Sequence, residues 1–372
     1  MRFFCYFGKD RIWDELNVKG GVMLKKTIFS FLLLLIILPI SVFGGSLEAG
    51  AVFMMIFPGS RATGMGGAFT ASEGDIFSTY YNDAALAFEN KKMIGLQHAN
   101  WLPGLYPGMY YEYLSMLFPV GEDLNLSLAV TYLTTGQTEV TDSTLDFHNE
   151  WATYDLSVKA AGDLKLTDNL GVGIGMKYIY SFLAPEAVLE WLSLVTGTSV
   201  SGGTGKAWAV DLSLLYVWND FLNSNLFGMQ SFKTLRLGAA LQNLGPEINY
   251  VEDGESDPLP RTLRLGLSLG LIEEEAHKLN LNLDLIKILV GVEYTDFQEI
   301  WSDSWKAGGI EYTFNNLFSL RLGYFQDKTG QRSGPTFGAG FQYEKFVFDL
   351  SVDQAIYDFK TSNYRISAQF SF

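Results

Sequence analysis

From Met93 onward the chain alternates apolar and polar residues with a period of two, as a strand with one apolar face does. The alternation predicts strands at 93–101, 109–119, 124–134, 151–162, 169–182, 206–218 and 232–243, then at 261–271, 278–286, 303–313, 317–325, 336–343, 346–354 and 363–372. Fourteen is an even number, as bacterial up-and-down barrels require. The connections alternate in length. Short ones fall at 120–123, 163–168, 272–277, 314–316 and 344–345, and long ones at 135–150, 183–205, 244–260, 287–302 and 326–335. A barrel with short periplasmic turns and longer extracellular loops has this rhythm. Only 219–231 is too long for its place. Val188, Leu189, Leu192 and Val195 are spaced for a short amphipathic helix within 183–205, and 287–302 holds a second candidate. The fold class is therefore all-β: a transmembrane, antiparallel up-and-down β-barrel of about 14 strands.

The strand faces follow from charge. Leu235-Arg236-Leu237-Gly238, Leu263-Arg264-Leu265-Gly266 and Leu320-Arg321-Leu322-Gly323 place leucines on one face and Arg and Gly on the other. An Arg facing the bilayer midplane costs about 2–4 kcal/mol, so the leucines face lipid, and Arg236, Arg264 and Arg321 face the lumen. The same rule puts Asp155, Asp211, Asp284, Glu311, Asp349 and Asp353 inside, where they can pair with the arginines. Gly171, Gly173 and Gly175 also point inward. This GxGxG string continues as strand with no helix after it, so it is not a nucleotide loop; it marks a thin wall with room for a filler. The segment 45–92 is the candidate. It lacks alternation, and Phe53, Met54, Met55, Ile56 and Phe57 would be poorly solvated in water. It is expected to plug the lumen, with Asn82 or Asp83 capping a short helix through Phe88.

Both ends of the sequence point to the outer membrane. Tyr364-x-Ile366-x-Ala368-x-Phe370-x-Phe372 alternates to its last residue, as a barrel-closing strand does, and a terminal Phe resembles the signal read by outer-membrane assembly machinery. Met23-Leu24-Lys25-Lys26, the apolar run Ile28–Leu38 and the small residues Gly44, Gly45 and Ser46 form the three-part layout of a cleaved signal peptide, 23–44. Residues 1–22 carry charges ahead of it and read as an upstream extension before a true start at Met23. The barrel proper is 93–372. Cys5 is the only cysteine, so the mature chain has no thiol chemistry. The net charge of −15 opposes nucleic acid as a partner.

Candidate chemistry is sparse. His98, His148 and His277 are far apart in sequence, with no metalloprotease or triad context, so no enzyme activity, cofactor or metal site is expected. The acidic run Glu252, Asp253, Glu255 and Asp257 offers oxygen ligands for calcium but reads more simply as a solvated loop. Trp101, Leu102, Pro103, Leu105 and Tyr106, at the first outer loop, suggest either an interfacial belt or a contact for cargo or solute, with Trp101, Leu102 and Tyr106 as the contact residues.

The segment Gly59-x-Arg61-Ala62-x-Gly64-Met65-Gly66-Gly67-Ala68-Phe69, followed by an acidic spacer and Tyr80-Tyr81-Asn82-x-Ala84-x-Leu86-Ala87, resembles the opening of the PorV/PorQ family, within the wider group of barrels similar to FadL. Leu241-Gln242-Asn243-Leu244-Gly245-Pro246 with Pro258-Leu259-Pro260-Arg261-Thr262, and Gly308-Gly309-Ile310-Glu311-Tyr312 through Leu320–Tyr324, agree with it. The resemblance implies a fourteen-stranded outer-membrane barrel in contact with lipid. It further implies a part in type IX secretion, binding cargo signal domains and passing them to secretion-system components at the cell surface. The FadL-like alternative is passive passage of hydrophobic small molecules past a plug, and a purely structural barrel is a third reading. The plug motif is Gly59, Arg61, Gly64, Gly66, Gly67 and Asn82. One departure stands out: Asp83 occupies the place of the family's Pro in Asn-Pro-Ala, which puts the local plug geometry in question.

Overall fold

The computed structural model describes residues 49–104, 108–141, 148–197, 201–222, 224–226, 228–251, 254–290, 296–354 and 362–372. The signal segment 23–44, residues 1–22 and Cys5 lie outside them, as do Tyr106, Glu252 and Asp253.

The described strands are β1 (Met93–Asn100), β2 (Tyr110–Val120), β3 (Leu124–Thr141), β4 (His148–Thr167), β5 (Leu170–Phe182), β6 (Thr204–Trp218), β7 (Ser224–Leu226), β8 (Met229–Ser231), β9 (Leu235–Leu244), β10 (Thr262–Glu273), β11 (His277–Ile288), β12 (Trp305–Phe314), β13 (Phe318–Asp327), β14 (Arg332–Tyr343), β15 (Phe346–Gln354) and β16 (Ser362–Ser371). Fourteen form one closed antiparallel barrel in sequence order, and β7–β8 is a small separate hairpin. That hairpin accounts for the overlong 219–231, because β6 pairs directly with β9 around it. The barrel closes where β1 meets β16, with Met93 opposite Ser371 and Ala99 opposite Arg365.

Several boundaries differ from expectation: the predicted turn 163–168 is mostly strand, since β4 runs to Thr167, and the predicted long loop 326–335 is only 328–331, between β13 and β14. The predicted loop 135–150 is mostly strand: β3 continues to Thr141 and β4 starts at His148, after a bulge between Thr134 and Gly136. Thr138, Glu139 and Val140 extend the pairing beyond the lipid band, where a polar composition hides the strand from an alternation test. His148 accordingly lies on a strand rather than in a loop, and His277 opens β11 rather than sitting in a turn. The long connections carry two helices, Glu186–Thr196 and Phe297–Asp303, within the two stretches that predicted them.

The short turns cluster at one end, which makes that end periplasmic. The Asn315-Asn316 turn, with both φ near +50°, uses a residue type that tolerates the left-handed region. Across its middle band the outward face is apolar. Leu237, Leu283, Ile310, Leu320 and Leu322 are exposed, as are Phe337, Leu350 and Ile366. Rows of aromatics flank this band. Tyr110, Tyr132, Tyr154 and Tyr180 follow one another at 5.9 Å ring spacing across β2–β5. Near the periplasmic end Phe318 lies against Phe341, and Phe346, Phe370 and Phe372 form a second group. These are the girdles of a membrane barrel.

Inside the barrel lies the segment from Ala49 to the start of β1. It runs through a 3-10 turn (Val52–Met55), a short helix (Ser60–Gly64), a single turn (Ser78–Tyr81) and a 3-10 helix (Asp83–Phe88). Phe53, Met65, Phe69, Ile76, Phe77, Tyr81 and Leu86 are all fully buried. This is the predicted plug.

Candidate functional site

An irregular backbone inside a barrel cannot satisfy its own N–H and C=O groups, so the wall must supply partners. It does so with the inward residues of the alternating strands. Gly59 N donates to Gln97 Oε1, Ser60 N to Ser367 Oγ (3.2 Å), Gly66 N to Thr336 Oγ1 (2.9 Å) and Ile76 N to Gln369 Oε1 (3.0 Å). Asp284 Oδ2 accepts from both Phe69 N (3.1 Å) and Thr70 N (3.0 Å). Asn125 Nδ2 donates to Leu86 O (2.6 Å) and Glu89 O (2.8 Å). Partners therefore come from strands right around the barrel.

The wall also makes room. A Cβ at Gly173 would fall 2.7 Å from Asp83 Cβ, and one at Gly171 2.6 Å from Ala84 O. The inward glycines thus admit the 3-10 helix Asp83–Phe88. On the opposite wall a Cβ at Gly66 of the plug would fall 2.5 Å from Tyr324 O, and its φ of +72° suits glycine besides. Of the other plug-motif glycines, Gly59 and Gly67 also have positive φ, and Gly64 packs on Gly338.

Buried charge fixes the plug at two places. Arg61 forks onto Glu311, with Nε 2.9 Å from Oε2 and a terminal nitrogen 2.8 Å from Oε1. Arg321 continues the chain to Glu311 Oε2 (2.6 Å) and Asp349 Oδ1 (2.6 Å). Asp75 of the plug lies 3.7 Å from Arg61. Burial pushes the Asp75 carboxyl up to about 6, against the pull of Arg61. Burial likewise raises the Tyr81 phenol well above its ordinary range. The second place is Lys159, whose Nζ stands 2.7 Å from Asp83 Oδ2, 2.8 Å from Asp211 Oδ2 and 2.7 Å from Thr79 O. Lys177 adds a contact to Asp211 (2.8 Å) and donates to Asn243 Oδ1 (2.7 Å).

The expected pairing of lumenal acids with arginines is therefore only partly met. Glu311 and Asp349 bind Arg321, and Asp353 binds Arg365 (2.7 Å). Asp211 is held by lysines, and Asp284 by plug amides. Asp155 has no cation within ion-pair distance among the described residues. Arg236 pairs with Glu73 of the plug rather than with a wall acid. Arg264, 1% exposed, has no carboxylate partner among the described residues; it donates to Gln242 Oε1 (2.9 Å) and lies over the rings of Phe57, Tyr80 and Tyr81 at 4.9–5.4 Å. Asn82 caps the 3-10 helix by accepting from Ala84 N (3.1 Å), and its amide donates to Thr70 O (2.7 Å). Lys159 and Lys177 were not singled out from sequence, and Gln242 and Asn243 only as part of the family signature. The lysines share inward parity with neighbouring polar residues, and that parity was the available signal.

Trp101 and Leu102 are not surface residues. Both are buried in the outer mouth, where Trp101 lies under the Arg365 guanidinium (5.6 Å) and Leu102 N donates to Asn363 Oδ1 (2.8 Å). Here Trp101, Trp305, Phe57, Phe325, Arg332 and Arg365 line a cleft of about 40 Å³. At the periplasmic side a polar cavity of about 490 Å³ opens among Arg61, Glu73, Arg236, Glu273, Lys278 and Arg321. Between the two mouths the plug fills the section.

Comparison with known proteins gives one family and one fold. Residues 45–295 match the family model described as Type IX secretion system protein PorV. No curated protein matches the sequence. Among solved structures the chain is similar to the Pseudomonas putida toluene transporter TodX, with 14% identity over 85% of this chain and 98% of that chain and a TM-score of 0.53. The Ralstonia pickettii toluene transporter TbuX (13%, 85% and 98%, 0.49) and a Pseudomonas aeruginosa FadL homologue (12%, 84% and 98%, 0.43) are also similar. At this identity the likeness to TodX shows the fold alone.

Proposed function

The chain belongs to the PorV family of type IX secretion proteins, and from that membership we propose that it binds the C-terminal signal domains of secreted cargo at the cell surface and hands them to other secretion components. It is an outer-membrane barrel and not an enzyme. The observation that carries the reading is the seating of the plug: its backbone is bonded to the wall from β1 round to β16, and two buried ionic clusters hold it. A barrel filled in this way serves better as a docking platform than as a conduit. The aromatic outer cleft, about 40 Å³, is far below the roughly 300–1,000 Å³ of small-molecule sites.

The second reading, passive passage of hydrophobic small molecules as in the toluene transporters of the same fold, requires the plug to move. A structural barrel without transport is the third. A deletion strain separates them. The secretion reading predicts that proteins bearing C-terminal signal domains fail to reach the surface while toluene uptake is unchanged. Normal secretion with reduced uptake would favour the transporter, and no change in either would favour the structural role.

A further inference from the structure

The lipid-facing wall carries a group of residues that the filled lumen does not use. Lys287 on β11 and Lys306 on β12 lie on the outward face with Leu283 and Ile310. The register places Lys306 beside Leu285 on one side and Gln326 on the other. Lys328 follows Gln326 by two residues at the outer end of β13 and is exposed. The helix Phe297–Asp303 folds down over this wall. Its Asp303 pairs with Lys287, which is buried although it lies on the outward face. Its Trp301 ring lies 5.0 Å from Lys306 Nζ. None of its residues is buried, and Phe297, Ile300 and Trp301 (75%, 38% and 49% exposed) sit at the i, i+3, i+4 spacing of one helix side.

We propose that this patch binds the phosphate of a phosphorylated glycolipid of the outer leaflet, with Lys306 and Lys328 on the phosphate and Phe297, Ile300 and Trp301 among the acyl chains. Lys306 Nζ gives two of its three N–H groups to the carbonyls of Trp301 (2.6 Å) and Ser304 (2.8 Å). The ammonium is thereby held in place with one donor left for a ligand. Asp303 is engaged by Lys287 and Thr329, and among the described residues neither Lys306 nor Lys328 has a carboxylate within ion-pair distance. Two like charges at the rim of a low-dielectric slab repel each other unless an anion lies between them. The bilayer is the occupant because the patch continues the lipid band: Ile310, Leu320, Leu322 and Tyr324 are exposed on the same face just below it. A cation beside an interfacial Trp is also the usual composition at that depth. The inference rests on the outer-membrane placement, with the long connections outward, and not on the cargo reading.

The test is titration of the purified full chain in detergent with bisphosphorylated lipid A, read by native mass spectrometry beside a dephosphorylated lipid A. K306Q/K328Q is expected to weaken lipid A binding roughly tenfold or more, whereas K345Q, at a periplasmic turn, leaves it unchanged. Heat-modifiable gel mobility verifies that each variant is a folded barrel. Equal lipid A binding by K306Q/K328Q and the unaltered protein overturns the proposal. So does equal binding of the dephosphorylated lipid, or an acidic peptide occupying the patch while lipid A stays unbound.

Discussion

Lys159 Nζ lies 2.7 Å from Asp83 Oδ2, joining a buried ammonium of the barrel wall to a buried carboxylate of the plug. The same ammonium binds Asp211 at 2.8 Å. Removing it leaves Asp83 buried without a cation within ion-pair distance and Asp211 with Lys177 alone. Lys159→Met should therefore lower stability by about 3–5 kcal/mol, the cost of breaking a buried pair from one side. Urea unfolding of the refolded barrel, followed by gel mobility, reads this directly.

Asp83 stands where the family has Pro, yet the turn keeps a proline-compatible shape. Asn82 is extended (φ −165°, ψ 102°), as a residue before Pro must be, and Asp83 opens the 3-10 helix. Asp83→Pro should thus preserve the turn and lose only the ion pair, while Lys159 retains Asp211 and Thr79 O. The expected cost is under about 2 kcal/mol, partly offset by the stiffer unfolded chain. In a Lys159→Met background the same change should be neutral or stabilising, because it removes the stranded carboxylate. A double-mutant cycle in urea checks both statements.

Inward wall glycines admit the plug, and an outward one serves as the control. A Cβ at Gly238 would fall on the Thr70 carbonyl of the plug, whereas at Gly162, on the lipid face with Val158 and Leu164, it would meet nothing within 4 Å. Gly238→Ala should unseat the plug locally and raise the single-channel conductance of the barrel in planar bilayers. Gly162→Ala should leave conductance unchanged and stability within about 0.5 kcal/mol.

The Asp75 carboxyl belongs to the plug and not to a membrane-crossing strand. Its value in the folded state, about 6, is above its ordinary 3.8 because burial outweighs Arg61. A raised carboxyl means the folded state binds the proton more tightly, so this group's stabilising contribution is full below pH 4 and is lost as pH rises through 6. Relative to Asp75→Asn, the unaltered protein should gain thermal stability between pH 7 and pH 5. Parallel curves for the two proteins across that range would contradict the assignment.

Much of the barrel was legible because its determinant is local. Leu235-Arg236-Leu237 and Tyr364–Phe372 declare their two faces within a few residues, and the lipid penalty for arginine decides which face is which. The plug was legible as apolar material without alternation, next to the space left by Gly171, Gly173 and Gly175. The lumenal partnerships were not. Arg264 lies over Phe57, Tyr80 and Tyr81, and Asp211 binds two lysines, because the threading of the plug and the register of distant strands decide who meets whom. Trp101 misled for the same reason: an aromatic at a strand end reads equally as girdle or as mouth lining, and Arg365 draws it inward. The extended β3–β4 hairpin was missed because strand pairing above the membrane no longer needs an apolar face.

The most direct measurement of the central claim is binding of a purified C-terminal signal domain to the purified, plugged barrel, followed by surface plasmon resonance and repeated with a saturating hydrophobic solute such as toluene. The secretion reading predicts saturable signal-domain binding that the solute does not displace, with no solute flux through proteoliposomes. Absence of signal-domain binding together with measurable solute flux would contradict it.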